Sequence, residues 1–385
     1  MKKKSITQVY SWLVLSLCFL VLIVSIYVVL QRRSQSHTSI RQYSETLTDV
    51  GFDTFVTYTE TTDEETFQTH LDYIKQQFSH YNELFDYYHT YDDLNNLKSI
   101  NDAAGKNAVQ VEKPLLECIQ NAYSFYEHSD HFDVTQGSLL QVWHTYRDEG
   151  IKKNEIGENG SLPTDEELIL AYNKDHWKAI EIDEKNCSIF IQDASVSIDL
   201  GGIAKGYTVQ KIYEDLCDMG VSSAILNAGG NVMLIGEKNN QEPWLVGIQT
   251  PSTSEIESTN VAVVSLTGSH AVVTSGDYQR YYKVNDVFYS HIIDPTTLYP
   301  AHYMRSVTVI ADNSTTADAL STTLFTMSYE EGSALLEQLE SKGISAQAIW
   351  VFDDTCPSIP QDEQAIINGN YTILASDSLQ NAIRK

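Results

Sequence analysis

Asp318 and Thr322 are the pair of residues whose type and spacing best suit metal chemistry. They lie in the segment TTADALSTT, which begins a predicted helix, and residues four apart share one helical face. A carboxylate and a hydroxyl so placed offer two hard oxygen ligands, and Mg²⁺ commonly takes few protein carboxylates and completes its octahedron with water and phosphate oxygens. The same pattern is also ordinary capping chemistry at a helix N-terminus. The pair therefore indicates either part of a magnesium site or a capped helix.

The segment Ser197–Gly220 could hold a phosphate group. Its pattern predicts a strand, a turn at Gly201 and Gly202, and a helix from about Ile203 to the end of the segment. A turn followed by a helix N-terminus presents unpaired backbone N–H groups and the positive end of the helix dipole, and Lys205 would add a charge. The alternative is an ordinary strand-to-helix connection in which the glycines serve only the turn.

His291 is the candidate general base. It follows a predicted apolar strand, and Asp294 and Pro295 come next at a turn, so the imidazole would lie close to a carboxylate. A single His in a strand is equally consistent with a structural residue, and Asp before Pro with turn chemistry. The chain has no Walker A, Gly-x-Ser-x-Gly, Ser-x-x-Lys, His-Glu-x-x-His or Gly-x-Gly-x-x-Gly pattern. Most standard hydrolase and nucleotide-binding classes are thereby excluded.

Composition restricts the partners. The chain has 385 residues, which is enough for about two domains or one large two-lobed domain. Its formal net charge of −27 repels phosphate backbones and argues against nucleic acid as a partner. Any phosphate site must therefore be a local exception. The cysteines show no C-x-x-C spacing, so neither zinc nor a disulfide framework is indicated.

The N-terminus predicts a single membrane-spanning segment. Trp12–Leu30 is an uninterrupted run without a charge, preceded by Lys2, Lys3 and Lys4, and it ends without a small-x-small cleavage signal. An uncleaved anchor is therefore favoured over a signal peptide, with the N-terminus in the cytoplasm and the rest of the chain outside it. The expected organisation is a cytoplasmic stretch (1–11), the anchor (12–30), a polar linker (31–48) and a catalytic domain (49–385).

The remaining pattern predicts an α+β fold. Apolar periodicity predicts the helices Glu64–Leu84, Glu112–His128, Thr164–Lys174, Thr316–Ser328 and Glu330–Lys342. Strands are expected at Gly51–Glu60, Ser195–Leu200, Ser223–Leu226, Val232–Ile235 and five further segments up to Ile293, then at Ser306–Ile310, Ala346–Phe352 and, as an edge strand, Tyr371–Ala375. Because few helices interrupt these strands, the sheet is expected to be largely antiparallel.

Several segments, taken together, resemble the ApbE family of FAD:protein FMN transferases. The resemblance runs from Gly51 to about Tyr329, and each motif alone is weak. The segments are GFDTFVT, LFDYYHTYDDLNNLKSIN, HFDVTQGSLLQVW, SIDLGGIAKGYTV, ILNAGGNVMLIG, PWLVGIQTP, VTSGDYQRYY, HIIDPTT and TADALSTTLF.

The resemblance implies an enzyme that uses FAD and Mg²⁺, transfers FMN through a phosphoester bond to a Thr or Ser hydroxyl of an acceptor protein, and releases AMP. The acceptor would be an extracytoplasmic electron-transfer protein. The implied metal ligands are the carbonyl of Ala204 and the side chains of Asp318 and Thr322, with Ser321 adjacent, and His291 would activate the acceptor hydroxyl. Lys205 then ranks below Ala204, and its side chain can be solvated. The implied FAD contacts are Phe52, Tyr88, Phe132, Asp133, Val134, Gly201, Tyr207 and Ile292.

Two departures from the family pattern affect the pocket rather than the metal ligands. Leu298 stands where the family usually has Gly, and Phe52, Asp53 and Thr54 stand where many members have Met-Gly-Thr. Two other functions stay open. A metal-dependent FAD pyrophosphatase would use water instead of the acceptor hydroxyl, and a non-catalytic cell-surface FAD-binding protein would need the aromatic pocket but not the metal pair.

Overall fold

The computed structural model describes residues 19–27, 39–172, 176–238, 241–252 and 259–385. Residues 19–27 are helical and exposed, and most of the predicted anchor Trp12–Leu30 lies outside the described residues. Among the residues that are described, no helix combines the length and apolar character needed to cross a membrane.

The chain folds into helices and strands whose bounds largely follow the sequence pattern. The helices are α1 (Glu64–Leu84), α2 (Leu97–Asp102), α3 (Lys113–Tyr126), α4 (Gly137–Glu155), α5 (Asp165–Ala171), α6 (Ala204–Asp218), α7 (Ser314–Phe325) and α8 (Tyr329–Ser341). The strands are β1 (Arg41–Leu47), β2 (Val56–Thr62), β3 (Val109–Gln110), β4 (Ile180–Asp183), β5 (Ser188–Ile191), β6 (Ser223–Ala228), β7 (Asn231–Gly236), β8 (Trp244–Gln249), β9 (Asn260–Leu266), β10 (His270–Gly276), β11 (Tyr281–Val284), β12 (Val287–Ser290), β13 (Ser306–Ala311), β14 (Ala346–Phe352), β15 (Ile366–Asn368), β16 (Tyr371–Ala375) and β17 (Ile383–Arg384).

A nine-stranded sheet forms the centre of the molecule, and all of its neighbouring strands are antiparallel. Its order is β1-β2-β6-β7-β10-β13-β14-β16-β15. Apolar side chains of α1, α6, α7 and α8 cover one face. A three-stranded sheet, β17-β9-β8, packs on the other face through a second apolar cluster. The α+β prediction with a largely antiparallel sheet is confirmed.

Two smaller clusters build the second lobe beside the helical face. One joins α2, α3 and the sheet β3-β5-β4 to the start of α6. The other joins α4 and α5 to the hairpin β11-β12. The start of α6 packs in the first of these clusters, while its later apolar residues pack in the core under the large sheet. Helix α6 therefore connects the two lobes.

Local signals explain the best-predicted elements. Helix α1 begins where the side chain of Asp63 accepts hydrogen bonds from the backbone N–H groups of Glu65 and Thr66. The hairpin β6-β7 turns at Gly229 and Gly230, whose φ angles are 56° and 89°. Two consecutive positive φ values define the tight turn that favours glycine. Gly220, at φ 92°, follows the last turn of α6 as predicted.

Four sequence predictions are wrong in detail. Part of the predicted linker, Arg41–Leu47, forms the edge strand β1, which pairs with β2 through exposed polar residues and so carries no apolar pattern. Tyr371–Ala375 is an interior strand, because β15 pairs outside it. The segment around Ser197 is irregular, since the side chain of Asn101 supplies both hydrogen bonds to the backbone of Ile198. Helix α4 occupies a segment in which no period was detected.

Candidate active site

A cavity of about 920 Å³ lies where the N-terminus of α6, helix α7 and the loop between β12 and β13 meet. Its wall brings together residues that lie far apart in the sequence. Of the residues implied by the family resemblance, the following line it: Phe52, Tyr88, Phe132, Asp133, Val134, Gly201, Ala204, His291, Ile292, Asp318 and Thr322. Tyr207 and Ser321 are not in the cavity wall.

Close packing of α6 against α7 positions the carboxylate of Asp318. The backbone N–H of Gly206 donates a hydrogen bond to Asp318 Oδ2 at 2.7 Å. A Cβ atom at Gly206 would lie 2.4 Å from Asp318 Cβ and 2.5 Å from the carbonyl oxygen of Ser314, so only glycine allows this approach. Burial raises the pKa of Asp318 to about 6, against the opposing effects of Lys205 and the Gly206 N–H. The site therefore holds a carboxylate that a nearby cation would stabilise.

Asp318 and Thr322 offer two hard oxygen ligands, an incomplete set that suits a magnesium ion whose other ligands are water and phosphate oxygens. Thr322 lies one turn further along α7 and lines the same wall. A Cβ atom at position 202 would lie 3.4 Å from Thr322 Oγ1. Because Gly202 has no side chain, the turn leaves this hydroxyl uncovered. The carbonyl oxygen of Ala204 already accepts a hydrogen bond from the Thr208 hydroxyl at 2.8 Å. It is therefore the least accessible of the three candidate metal ligands. Within the described residues, no group of three or more His, Cys, Asp or Glu side chains could hold a metal.

Ser321 and Tyr207 support the site from behind its wall. The hydroxyl of Ser321 donates to the carbonyl of Asp318 at 3.0 Å and lies 2.9 Å from Ser275 Oγ. It therefore ties α7 to strand β10. The Tyr207 ring lies between other aromatic rings, and its hydroxyl donates to Glu117 Oε2 at 2.9 Å. Both residues can hold α6 and α7 in place without contacting a ligand.

His291 follows β12 directly and lines the cavity with its ring neutral. Its backbone N–H donates to the carbonyl of Arg280 at 3.1 Å, and its Nδ1 is buried without a hydrogen-bond partner among the described residues. Burial lowers the pKa of His291 to about 3, and the charges of Arg280 and Arg147 act in the same direction. A neutral imidazole is the form that can accept a proton.

The predicted pairing of His291 with Asp294 is absent. Asp294 is buried, and its Oδ1 accepts hydrogen bonds from the backbone N–H and the hydroxyl of Thr296 at 2.8 and 2.7 Å. Its Oδ2 accepts from the hydroxyl of Tyr303 at 3.0 Å. The carboxylate therefore stabilises its own turn, and the turn-chemistry alternative is the correct one for Asp294.

Three positively charged side chains act on His291, and only Lys205 among them was named from the sequence. Arg147 comes from α4, which was not predicted, and Arg280 precedes β11 within the SGDYQRYY segment. Lys205 also lines the cavity; it is half-buried, and burial lowers the pKa of its ammonium group. In the sequence, this cluster is indicated only by the basic residues within the segments SGDYQRYY and IAKGY. Cationic side chains thus lie in the wall of this cavity, together with the carboxylates of Asp133, Asp199 and Asp318.

The two departures from the family pattern fall at left-handed backbone positions. Leu298 has a φ of 66°, and Phe52 and Asp53 have φ values of 56° and 48°. Glycine is the residue that most easily adopts these angles. The backbone N–H of Phe52 is held by Asn82 Oδ1 at 2.8 Å, and the Leu298 carbonyl accepts from Trp143 Nε1 at 2.9 Å. Neighbouring contacts therefore hold these strained loops in the conformation that glycine would adopt without strain.

The fold and this cavity define a class of two-lobed α+β proteins whose cleft combines a helix N-terminus, a buried carboxylate and cationic side chains, a set that suits a phosphorylated ligand. The family model described as the ApbE family matches residues 52–347, and the chain belongs to this family. It is similar to a FAD:protein FMN transferase of Klebsiella pneumoniae, with 33% identity over 63% of this chain and 71% of the relative. A FAD:protein FMN transferase of Treponema pallidum is 30% identical over 67% of this chain and 71% of the relative.

Solved structures show the same fold. The crystal structure of an ApbE protein from Thermotoga maritima superimposes with a TM-score of 0.70 at 28% identity, covering 90% of this chain and 100% of the other. The flavin transferase ApbE from Vibrio cholerae superimposes with a TM-score of 0.66 at 24% identity, covering 89% of this chain and 100% of the other. The second likeness concerns the fold alone.

Proposed function

We propose that this chain is a Mg²⁺-dependent FAD:protein FMN transferase that attaches FMN to a Thr or Ser hydroxyl of an acceptor protein and releases AMP. Membership of the ApbE family supports the flavin transferase class. One observation carries the assignment to this cavity: the N-terminus of α6, the pair Asp318 and Thr322, and His291 all line the same wall. Phosphoryl-type transfer depends mainly on charge neutralisation and positioning, which such a wall provides.

The reaction breaks the phosphoanhydride bond of FAD and forms a phosphoester bond to the acceptor. The acceptor hydroxyl oxygen forms a bond to the phosphorus of the FMN half of FAD, and the bond from that phosphorus to the bridging oxygen breaks, so AMP leaves. The neutral ring of His291 accepts the proton of the hydroxyl. Arg280 and Lys205 compensate the negative charge of the pyrophosphate inside a chain whose net charge is −27.

A magnesium ion would be held by the carboxylate of Asp318, the hydroxyl of Thr322 and, more weakly, the carbonyl of Ala204. Bound there, it would neutralise charge on the pyrophosphate and its leaving group. The hydrogen bond from the Gly206 N–H would keep Asp318 oriented. Because this bond uses only Oδ2, the other carboxylate oxygen could bind the metal.

The isosteric substitution Asp318→Asn tests the proposal. It keeps a hydrogen-bond acceptor for Gly206 but removes the charge, so FMN transfer should fall about 100-fold or more. The full-length protein is incubated with FAD, Mg²⁺ and a candidate acceptor flavoprotein, and an FMN-sized mass gain and AMP are measured. Asp312→Asn is the matched control, because the Asp312 side chain is 87% exposed. Undiminished transfer in Asp318→Asn, or no modification of a competent acceptor, would refute the proposal.

The reaction products separate the two other functions. Free FMN and AMP without acceptor modification would indicate an FAD pyrophosphatase. A retained flavin that undergoes redox cycling without AMP release would indicate a non-catalytic FAD-binding protein.

Anchoring in the cell membrane is a further part of the proposal. The uncharged run Trp12–Leu30 after three lysines supports a single-pass anchor with the catalytic domain outside the cytoplasm, where an electron-transfer protein would be the acceptor. Extraction of membranes at alkaline pH should leave the full-length chain in the pellet. A variant with two charged residues placed inside the run should appear in the supernatant. Release of the unmodified chain would contradict anchoring.

A further inference from the structure

The cavity contains a pair of side chains that the family resemblance does not explain. The hydroxyl of Tyr88 lies 2.8 Å from His144 Nδ1, and both residues line the cavity wall. Tyr88 was expected to contact FAD, whereas His144 had no expected role. His144 lies on α4 one turn before Arg147, which also lines the cavity. The pair therefore belongs to the binding surface and not to the core.

The hydrogen bond with Tyr88 selects one form of the His144 ring. Tyr88 keeps its proton near neutral pH, as a phenol ordinarily does, and partial burial lowers the pKa of His144, so its ring is neutral. A phenol is a good donor, so the Tyr88 hydroxyl donates to Nδ1, and the remaining ring proton must lie on Nε2. Among the described residues, no protein group is hydrogen-bonded to His144 Nε2, and this atom is not enclosed by protein.

The surroundings of the pair suit a flat ring. Tyr88 is 53% exposed although it lines the cavity, and its ring meets that of Tyr87 edge to face at 5.2 Å. Leu139 and Leu140 add apolar surface to the same cavity. Aromatic side chains with one polar atom commonly receive aromatic ligands in this way.

We propose that His144, held in its Nε2–H form by Tyr88, donates a hydrogen bond to the edge of one of the two heterocycles of FAD. This inference rests on the proposed use of FAD, and it adds His144 as a binding residue and Tyr88 as the residue that orients it. Both heterocycles, flavin and adenine, carry ring nitrogen or carbonyl acceptors. The heterocycle that lies at His144 is distinguished by the ligands used in the test.

Binding of FAD, FMN and ADP to the full-length protein is measured by calorimetry for the wild type and for His144→Phe, His144→Gln and Tyr88→Phe. His144→Phe keeps the ring but loses the donor, and FAD affinity should fall about 3- to 10-fold. The same loss should appear with FMN if the flavin lies at His144, or with ADP if the adenine does. His144→Gln restores an N–H near the Nε2 position and should recover most of the affinity.

A double-mutant cycle tests the orienting role of Tyr88. Tyr88→Phe should weaken FAD binding in the wild-type background and have little further effect in the His144→Phe background, because the tautomer then no longer matters. Additive losses, or an unchanged affinity for FAD in His144→Phe, would overturn the proposal. Thermal unfolding of each variant separates lost binding from lost folding.

These titrations do not depend on FMN transfer. If the wild type bound FAD without transferring FMN, a weaker FAD affinity in His144→Phe would still support the role of His144. If the wild type transferred FMN and His144→Phe bound FAD normally, only the role of His144 would fail.

Discussion

The ring of His291 lies in surroundings that oppose its protonation. Its Nδ1 has no partner among the described residues, and the charges of Arg280 and Arg147 add to the effect of burial. A bound pyrophosphate would bring negative charge close to these cations. The imidazole would then become a stronger base when substrate is present than when the cavity is empty.

Acid should destabilise the protein partly through His291. The ordinary pKa of 6.5 applies in the unfolded chain, whereas the folded value is lowered to about 3. Between these values only the unfolded state binds the proton, so the free energy of unfolding falls as the pH drops below about 6.5. The Tm should therefore fall less between pH 7.5 and pH 5 in His291→Gln than in the wild type. His89→Gln, at a side chain that is 75% exposed, should not protect in this way. An equal fall in Tm between pH 7.5 and pH 5 in His291→Gln and the wild type would contradict the lowered pKa of His291.

The left-handed backbone of Leu298 makes a second residue-level prediction. Leu298→Gly and Leu298→Ala both lose the packing of the half-buried side chain, but only Gly relieves the strain at φ 66°. Leu298→Gly should thus be more stable than Leu298→Ala by about 1 kcal/mol in urea unfolding. At the exposed strand residue Val287, the Ala variant should instead be more stable than the Gly variant. The same order at both positions would show that strain is unimportant at Leu298.

At the level of elements, the active site depends on how closely α6 approaches α7. Their contact includes the Gly206 N–H and the Asp318 carboxylate, and it is backed by the hydrogen bond from Ser321 to the Asp318 carbonyl. A displacement of either helix would move the carboxylate relative to the glycine turn. The geometry of the site is therefore set by helix packing rather than by the flexibility of single side chains.

Gly206→Ala tests this dependence. Its Cβ would lie 2.4 Å from Asp318 Cβ and 2.5 Å from the backbone of Ser314, so the helices must separate. We expect a loss of about 1–3 kcal/mol of stability and a larger loss of FMN transfer, measured on the folded fraction. Gly332→Ala in α8 is the matched control, because its Cβ would approach the flexible end of Leu324 at 3.2 Å and the Trp350 ring at an ordinary contact distance of 3.8 Å. Normal transfer by Gly206→Ala would contradict the packing argument.

The sequence predicted those elements whose residues bury one regular face. Helix α1 has buried residues from Phe67 to Leu84 at helical spacing, and its predicted bounds are confirmed. Helix α4 buries few residues, among them Leu139 and Trp143, so its period is weak. Strand β1 has no buried residue and gave no signal. The wall that combines Asp318 with the glycine turn could be inferred only from the family resemblance, because no local pattern encodes contacts between distant segments.

On the scale of the whole molecule, the residues beyond the family match complete the fold. Strand β16 pairs with β14 inside the large sheet, and β17 pairs with β9 in the sheet that packs on it. Ile373, Ala375 and Ile383 belong to the apolar cluster between the two sheets, and Leu374 packs in the core on the helical face. The C-terminal segment is thus a structural part of the domain and not an appendage.

Truncation after Pro360 should prevent stable folding. It removes β15, β16 and β17 and exposes the apolar surface against which Ile373, Leu379 and Ile383 pack. Each such side chain contributes about 1.5–3 kcal/mol, so the total approaches the stability of a typical domain. Truncation after Asn381 removes only β17 and should leave a cooperative unfolding transition at a lower Tm. A cooperative transition near the wild-type Tm in the longer truncation would contradict the structural role.

The hydrogen bond between Gly206 and Asp318 also links ligand binding to the integrity of the whole fold. The two halves of the site come from different parts of the chain, so an unfolded molecule has no such site to offer. A ligand that bridges α6 and α7 therefore shifts the equilibrium towards the native state by mass action, by about 2.7 kcal/mol when its concentration is 100 times its Kd. Scarcity of FAD would then shorten the lifetime of the protein, and its abundance would follow the supply of its own substrate.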